Sequence, residues 1–311
     1  MMTILAYIVA YLGIVFFLIA CVARFRMWSK MPMHVRWELY PVAHEGGGKA
    51  AYGGSYLEDT DWWAKKREVS HFGELKVMVP EILFLVALRE HNKKLWTRSF
   101  PFHFGLYLVG GATALLLVGG LAVGYLPESI AGLAGKIMGI AIPGLGGAGL
   151  VLGIIGAIGL FMRRRGHELR DYTAPADLFN LIFFIVAFGV ALVTFVAYDR
   201  DFAMVTAFIT NLVTFNLVPV GDGTGGLLLA ISVVLLALLT AYIPMTHMSH
   251  FIGKYFAYHS IRWQDEPNLA GGKQEETIHE LLSRPVSWSA SHINADGKKS
   301  WLDVTLEDQT K

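Results

Sequence analysis

The chain has 311 residues, 54% of them hydrophobic, a formal net charge of +1 and a single cysteine. Its mean hydropathy of +0.47 is more than a soluble domain of this length needs. One cysteine, Cys21, excludes an intramolecular disulfide, and it excludes any iron–sulfur cluster or structural zinc site ligated by several cysteines of this chain.

Five apolar runs of membrane-crossing length follow one another, over 3–22, 100–124, 137–162, 177–198 and 226–251. Backbone polar groups cannot stay unpaired in lipid, so all five are predicted to be helices. The fold class is therefore all-α, an integral membrane bundle of five transmembrane helices. No basic n-region precedes Thr3, and Arg24 and Arg26 follow the first run. A retained span is thus expected there, although Leu18-Ile-Ala-Cys21 looks like a lipoprotein cleavage box.

A segment of about 75 residues follows, with glycine-rich stretches at Gly46–Gly48 and Gly53–Gly54. A loop this long is usually functional or faces a partner. Residues 77–88 are apolar but too few to cross a membrane, so they are expected to form an interfacial helix, with Pro80 tolerated near its start. The glycines of runs two and three allow close helix packing. The Gly144–Gly149 stretch lies inside an apolar run without a basic residue, so it reads as packing and not as a phosphate cradle.

Residues 202–218 are ambiguous, and charge placement decides their case. With five spans and the N-terminus outside, the inner segments hold 24 of the 26 Lys and Arg residues, leaving Lys136 and Arg200 outside. This is the bias of Lys/Arg toward cytoplasmic loops. A sixth span would put the basic tail outside. Residues 202–218 are therefore expected to lie as an amphipathic segment on the outer surface. The predicted organisation is a first transmembrane helix over 1–22, a cytoplasmic loop with an interfacial helix over 23–99, a four-helix bundle over 100–251 and a cytoplasmic tail over 252–311. The tail is polar and is expected to lie on a soluble partner or to be partly disordered. The basic inner face suits anionic lipid headgroups or an acidic partner. No nucleic-acid motif is present.

Of the 11 histidines, three fall within or at the ends of the runs. These are His103 near the start of run two, and His247 and His250 at the end of run five. Ionisable or coordinating side chains at membrane depth are functional candidates. His247 and His250 are three apart, which predicts nearly the same helix face. A six-coordinate b-type haem needs one imidazole from each of two helices, and this topology sets His103 and the His247/His250 pair at one depth. The bland alternative is interfacial polar residues. Zinc fits less well, since no carboxylate or cysteine accompanies them. The outer halves of the runs contain no histidine. Arg98, Arg163, Arg164, Arg165 and Arg170 lie at the depth of haem propionates, to which guanidinium binds bidentately; anchoring of the inner face is the competing reading. His91 and His167 could carry protons at the inner surface.

The string Phe102-His-Phe-Gly105, the run Arg163-Arg-Arg with Leu169-Arg-Asp-Tyr-Thr173 and Asp177, the segment Leu212-Val-Thr-Phe215, and Pro244 six residues before His250 occur in this order. In this order the chain resembles the gamma subunit of respiratory nitrate reductase and its relatives. The loop strings Trp37-Glu-Leu-Tyr-Pro41, Tyr52-Gly-Gly-Ser-Tyr56 and Asp61-Trp-Trp63 look closest to the cytochrome-c3-linked, sulfite-reduction-linked and heterodisulfide-reductase-like branch. The resemblance covers about residues 1–260. It implies a membrane cytochrome b subunit of the inner membrane, with haem b ligated by His103 and His250 and electrons exchanged between menaquinone and a cytoplasmic iron–sulfur partner. It also implies a periplasmic multihaem cytochrome c as a further partner. His247 is left as a propionate ligand, part of a quinone pocket or the axial ligand itself. The family's outer-haem ligands would fall near Thr113 and Ser232, so one haem is expected. A second, using His34, His44 or His71 or a partner chain, stays open. The rival readings are a haem-free membrane anchor and a small-solute transporter.

Overall fold

A computed structural model of the chain describes residues 2–31, 36–39, 41–130, 132–288, 293 and 295–307. The chain divides into two compact units, one of 1–20 with 78–247 and the other of 21–77 with 248–311. Among the described residues there is no sheet, only two isolated bridges, Glu45 with Val69 and Pro285 with Ser300. His34 lies outside the described residues.

Five helices are long and apolar enough to cross a membrane: α1 (Met2–Ser29), α4 (Lys93–Tyr125), α5 (Leu133–Arg165), α6 (Pro175–Tyr198) and α8 (Gly223–Tyr242) with the turn after it. The all-α, five-span expectation holds. The short helices between them are α2 (His71–Phe84), α3 (Val86–His91) and α7 (Ala203–Val213); α9 (His250–Phe256), α10 (Lys273–Leu282) and α11 (Trp301–Leu306) follow.

In the first unit α4 and α5 approach through glycines. A Cβ on Gly105 would stand 2.4 Å from the Gly153 nitrogen, and one on Gly156 would stand 2.3 Å from the Phe102 nitrogen. Both obstacles are backbone, so no side chain can swing aside. Between helices in lipid, where apolar burial drives little, such close contact is the main attraction. Gly156→Val should force the two helices apart, at a cost of about 1–3 kcal/mol. A thermal melt of the solubilised protein would read this; an unchanged midpoint would show that α4 and α5 do not meet there.

The expected helix over 77–88 is corrected at both ends. It begins at His71, which places Pro80 inside it, and it stops at Leu85, whose φ of 52° is left-handed. The Glu81 carboxylate accepts the Ala87 amide at 2.8 Å and so stabilises the start of the next helix. Asn92 then caps α4 by accepting the Leu95 amide.

In the 202–218 segment the 11-residue helix α7 is too short to cross, and one face of it is buried while Ala203 and Ala207 are exposed. Phe208 and Leu212 are buried in a cluster with Ala6, Tyr7, Ala10 and Leu229, and the Phe208 ring stacks on Tyr7 at 4.2 Å. Its amides at Met204 and Val205 donate to the buried Asp199 carboxylate at the end of α6. A carboxylate at a helix N-terminus meets both unpaired amides and the helix dipole.

Much of the tail is folded within the second unit. Trp263, Val286, Tyr258 and Val304 are buried within it, and the loop and tail residues form one folded body. The separate loop and tail of the sequence reading are therefore joined.

Candidate functional site

His103 stands about three turns into α4, one turn past Ser99, and is half-buried. Its Nδ1 lies 2.8 Å from the Ser99 carbonyl oxygen and 3.3 Å from the Ser99 hydroxyl. A carbonyl only accepts, so Nδ1 carries the proton and Nε2 carries the lone pair. This is how metal-bound imidazoles are commonly set, with one nitrogen anchored to a backbone carbonyl and the other ligating. Phe102 next to it packs edge-on against Phe184, which holds this turn of α4 to α6.

The long helix expected to carry His247 and His250 ends before both of them. Pro244 has no N–H for the carbonyl four residues back, so α8 ends at Tyr242 in a tighter turn, Ile243–Met245. Thr246 is extended, with φ −112° and ψ −178°. His247 then opens a short turn and His250 opens α9. The two histidines therefore belong to different elements.

His247 belongs to a charged cluster within the first unit. Its Nε2 is 3.7 Å from one oxygen of Asp177, whose other oxygen accepts Arg164 at 3.3 Å and the Ala174 amide at 3.1 Å. Asp177 thereby caps α6 and ties it to the end of α5. One turn deeper, Asn180 is buried and its Oδ1 accepts the Tyr242 hydroxyl at 2.8 Å. Sequence reasoning noted Asp177 only as part of a motif and missed Asn180. Its signal was an amide within a span, where polar groups are costly. Arg163 is half-buried at the end of α5. Arg170 is exposed, its nearest carboxylate being Asp171 at 3.5 Å. His250 is exposed, and its neighbour Ser249 is buried.

The second unit is built around a buried carboxylate that sequence reasoning missed. Asp265 accepts His44 Nε2 at 2.6 Å and also accepts Arg67, while its backbone carbonyl accepts the Tyr56 hydroxyl at 3.2 Å. His44 and Asp265 are 7% and 8% exposed, so the pair is shielded from water. Nearby, Glu45 accepts Ser55 at 2.6 Å and Arg36 at 2.9 Å, while Glu38 receives both Arg262 and the Trp263 indole N–H. Every one of these links joins the loop to itself or to the tail. His71 is exposed, 3.3 Å from Glu74. A cleft of about 370 Å3 on this unit carries Lys49, Lys65, Lys66 and Arg67 with Tyr52 and Trp62.

Burial opposes ionisation of Asp265, but the His44 hydrogen bond, Tyr56 and the Arg67 charge outweigh it and lower its pKa. Its contribution to folding is then complete above the unfolded value, about 3.9, and is lost as pH falls through the lower folded value. His259, packed against the Tyr255 and Trp263 rings, is shifted down chiefly by burial. The unfolded chain therefore takes up its proton first, and stability falls as pH drops below about 6.5 toward the folded value. Limited proteolysis of the full chain between pH 7.5 and 5 should show the second unit becoming susceptible, and His259→Gln should flatten that step. Equal cleavage rates across the range would contradict it.

The first unit also contains a cavity of about 300 Å3. Thr113 and Ser232, the places where the resemblance would put outer-haem ligands, both line it. Their hydroxyls donate to their own helix carbonyls, at Val109 and Leu228, each at 2.8 Å. A hydroxyl is a poor axial ligand and no imidazole lines the cavity, so these residues do not fit a haem.

His103, with its proton fixed on Nδ1, does fit as a haem ligand. Among the described residues no group of three or more His, Cys, Asp or Glu could hold a metal ion, but a haem takes only two protein ligands. Comparisons with protein-family models, with curated proteins and with solved structures found no match.

Proposed function

We propose that this chain is a membrane cytochrome b subunit that passes electrons between menaquinone and a cytoplasmic iron–sulfur protein. The observation that carries the reading is the His103 imidazole, held by the Ser99 carbonyl with its lone pair on Nε2, on a helix long and apolar enough to span a membrane. The order of the motifs resembling the nitrate reductase gamma subunit supports it.

A bound haem b supplies reversible one-electron chemistry at its iron. The chain's own part is to bind and orient it. His103 would hold the haem iron from α4, with Ser99 orienting its ring. The family resemblance gives His250 as the candidate for the second ligand. His247 is the less suited ligand, since the Asp177 carboxylate already draws its Nε2 toward the charged cluster with Arg164. That cluster instead suits proton exchange, because a quinone half-reaction moves two protons with its two electrons. Arg163 and Arg170 are proposed to meet the propionates, whose carboxylates a guanidinium binds bidentately.

The concentration of Lys and Arg in 22–99, 163–176 and 252–311 supports an N-terminus outside and a C-terminus on the cytoplasmic side of the inner membrane. The folded second unit, with its lysine-lined cleft, is then the dock for the iron–sulfur partner. A periplasmic multihaem cytochrome c would meet the opposite side.

A dithionite-reduced minus oxidised spectrum of the purified chain, with a pyridine haemochrome assay, tests the reading. About one b haem per chain is expected. A haem-free chain that still copurifies with iron–sulfur subunits would replace the reading with a membrane anchor. A haem-free chain without partners would favour a transporter.

A further inference from the structure

We infer that the cavity in the first unit holds one hydrocarbon chain, an acyl chain of a membrane phospholipid, entering from the bilayer beside α1 and α4. The inference stands apart from the redox reading.

Exposure gives the cavity a direction. Ile14, Thr113, Leu117 and Thr240 are exposed on helices whose length and composition suit a membrane. Leu150, Leu229, Thr194 and Ser232 at the other end are buried. The cavity thus leads from an apolar outer surface into the core, and the medium at such a surface is lipid.

The walls then select the occupant by what they lack. Thr113, Thr240 and Ser232 donate to the carbonyls of Val109, Leu236 and Leu228, each at 2.8 Å. Thr194 reaches Val190 and the Ser232 hydroxyl at 2.9 Å. The Asp199 carboxylate takes the amides that open α7. Each polar group on the wall is therefore already satisfied by the protein. A quinone ring would need donors for its two carbonyls and would find none, and a buried polar group without a partner is penalised. A tetrapyrrole would need an axial nitrogen, and the wall has none. A saturated chain makes no such demand, and its methylenes match the side chains of Leu116, Leu150, Leu229 and Leu236. The phospholipid is the bulk component of the medium at the mouth, and its headgroup would stay at the bilayer surface.

The test is native mass spectrometry of the full chain released from mild detergent, with extraction and identification of what it retains. The wild-type chain should carry about one phospholipid. Ala112→Phe and Leu229→Phe, which fill the cavity from opposite walls, should lower the retained fraction at least tenfold, whereas Thr113→Val should leave it unchanged. A wild-type chain that retains no phospholipid overturns the inference. So does retention of an isoprenoid quinone or a tetrapyrrole that Ala112→Phe abolishes. If the filled variants do not elute as single species, the wild-type chain reconstituted with chain-spin-labelled phospholipid gives an independent reading. One strongly immobilised label per chain supports the site, and only freely mobile label refutes it.

Discussion

Replacing His103 with alanine should leave the chain with no detectable b haem while the bundle still folds. The side chain is half-buried, so its loss opens little space in the core. A cavity of this kind costs far less than the loss of a buried leucine. The alanine chain should therefore elute and melt much as an apo wild-type chain does, with the reduced haem bands gone. His250→Ala should give the same spectrum. His247→Ala should keep the haem and shift only the pH dependence of turnover, because His247 sits against Asp177. Full haem in His250→Ala together with its loss in His247→Ala would reverse the ligand assignment. Retention in His103→Ala would remove the basis of the redox reading.

Replacing Asp265 with alanine should be the most damaging change to the second unit, by about 3–5 kcal/mol, the usual cost of removing one partner of a buried ion pair. The loss is not the value of an attraction alone. His44 would keep its buried ring without the carboxylate that meets Nε2, and its Nδ1 already has no hydrogen-bond partner among the described residues. Arg67 would lose its carboxylate as well, but its side chain is partly exposed and water can replace it. His44→Phe, which removes the need for a partner, should recover part of the loss in the double variant. Proteolysis should then cut within 21–77 and 248–311 and spare α4 to α8. Indistinguishable protection of wild type and Asp265→Ala would mean that the pair does not hold the unit together.

The spans were legible because lipid imposes a crude rule. About 20 apolar residues are needed to cross, and every backbone group must be paired inside the segment. The runs at 3–22, 100–124, 137–162, 177–198 and 226–251 satisfy that rule locally, so no knowledge of their neighbours was required. His103 was legible for the same reason, since an imidazole in an apolar run is conspicuous. Its tautomer was not, because that depends on where the α4 backbone presents the Ser99 carbonyl.

What escaped depends on partners far apart in the chain. The second unit is held by His44 with Asp265 and Glu38 with Arg262, more than 200 residues apart, and its core is a few side chains such as Trp263 and Val286. No period of 2 or 3.6 announces such a core. The burial of α7 turns on one stacked pair, Tyr7 with Phe208, which no local pattern encodes. Pro244 was visible, but the early end it gives α8, ahead of His247 and His250, lies in the turn geometry that follows it. Sequence alone thus determined which segments suit a membrane and where imidazoles enter it, since both follow from the composition of single segments. Only the tertiary structure decided that the loop and tail fold together, that α7 packs against α1 and that Asp177 meets His247, because each is a contact between segments that carry no local sign of one another.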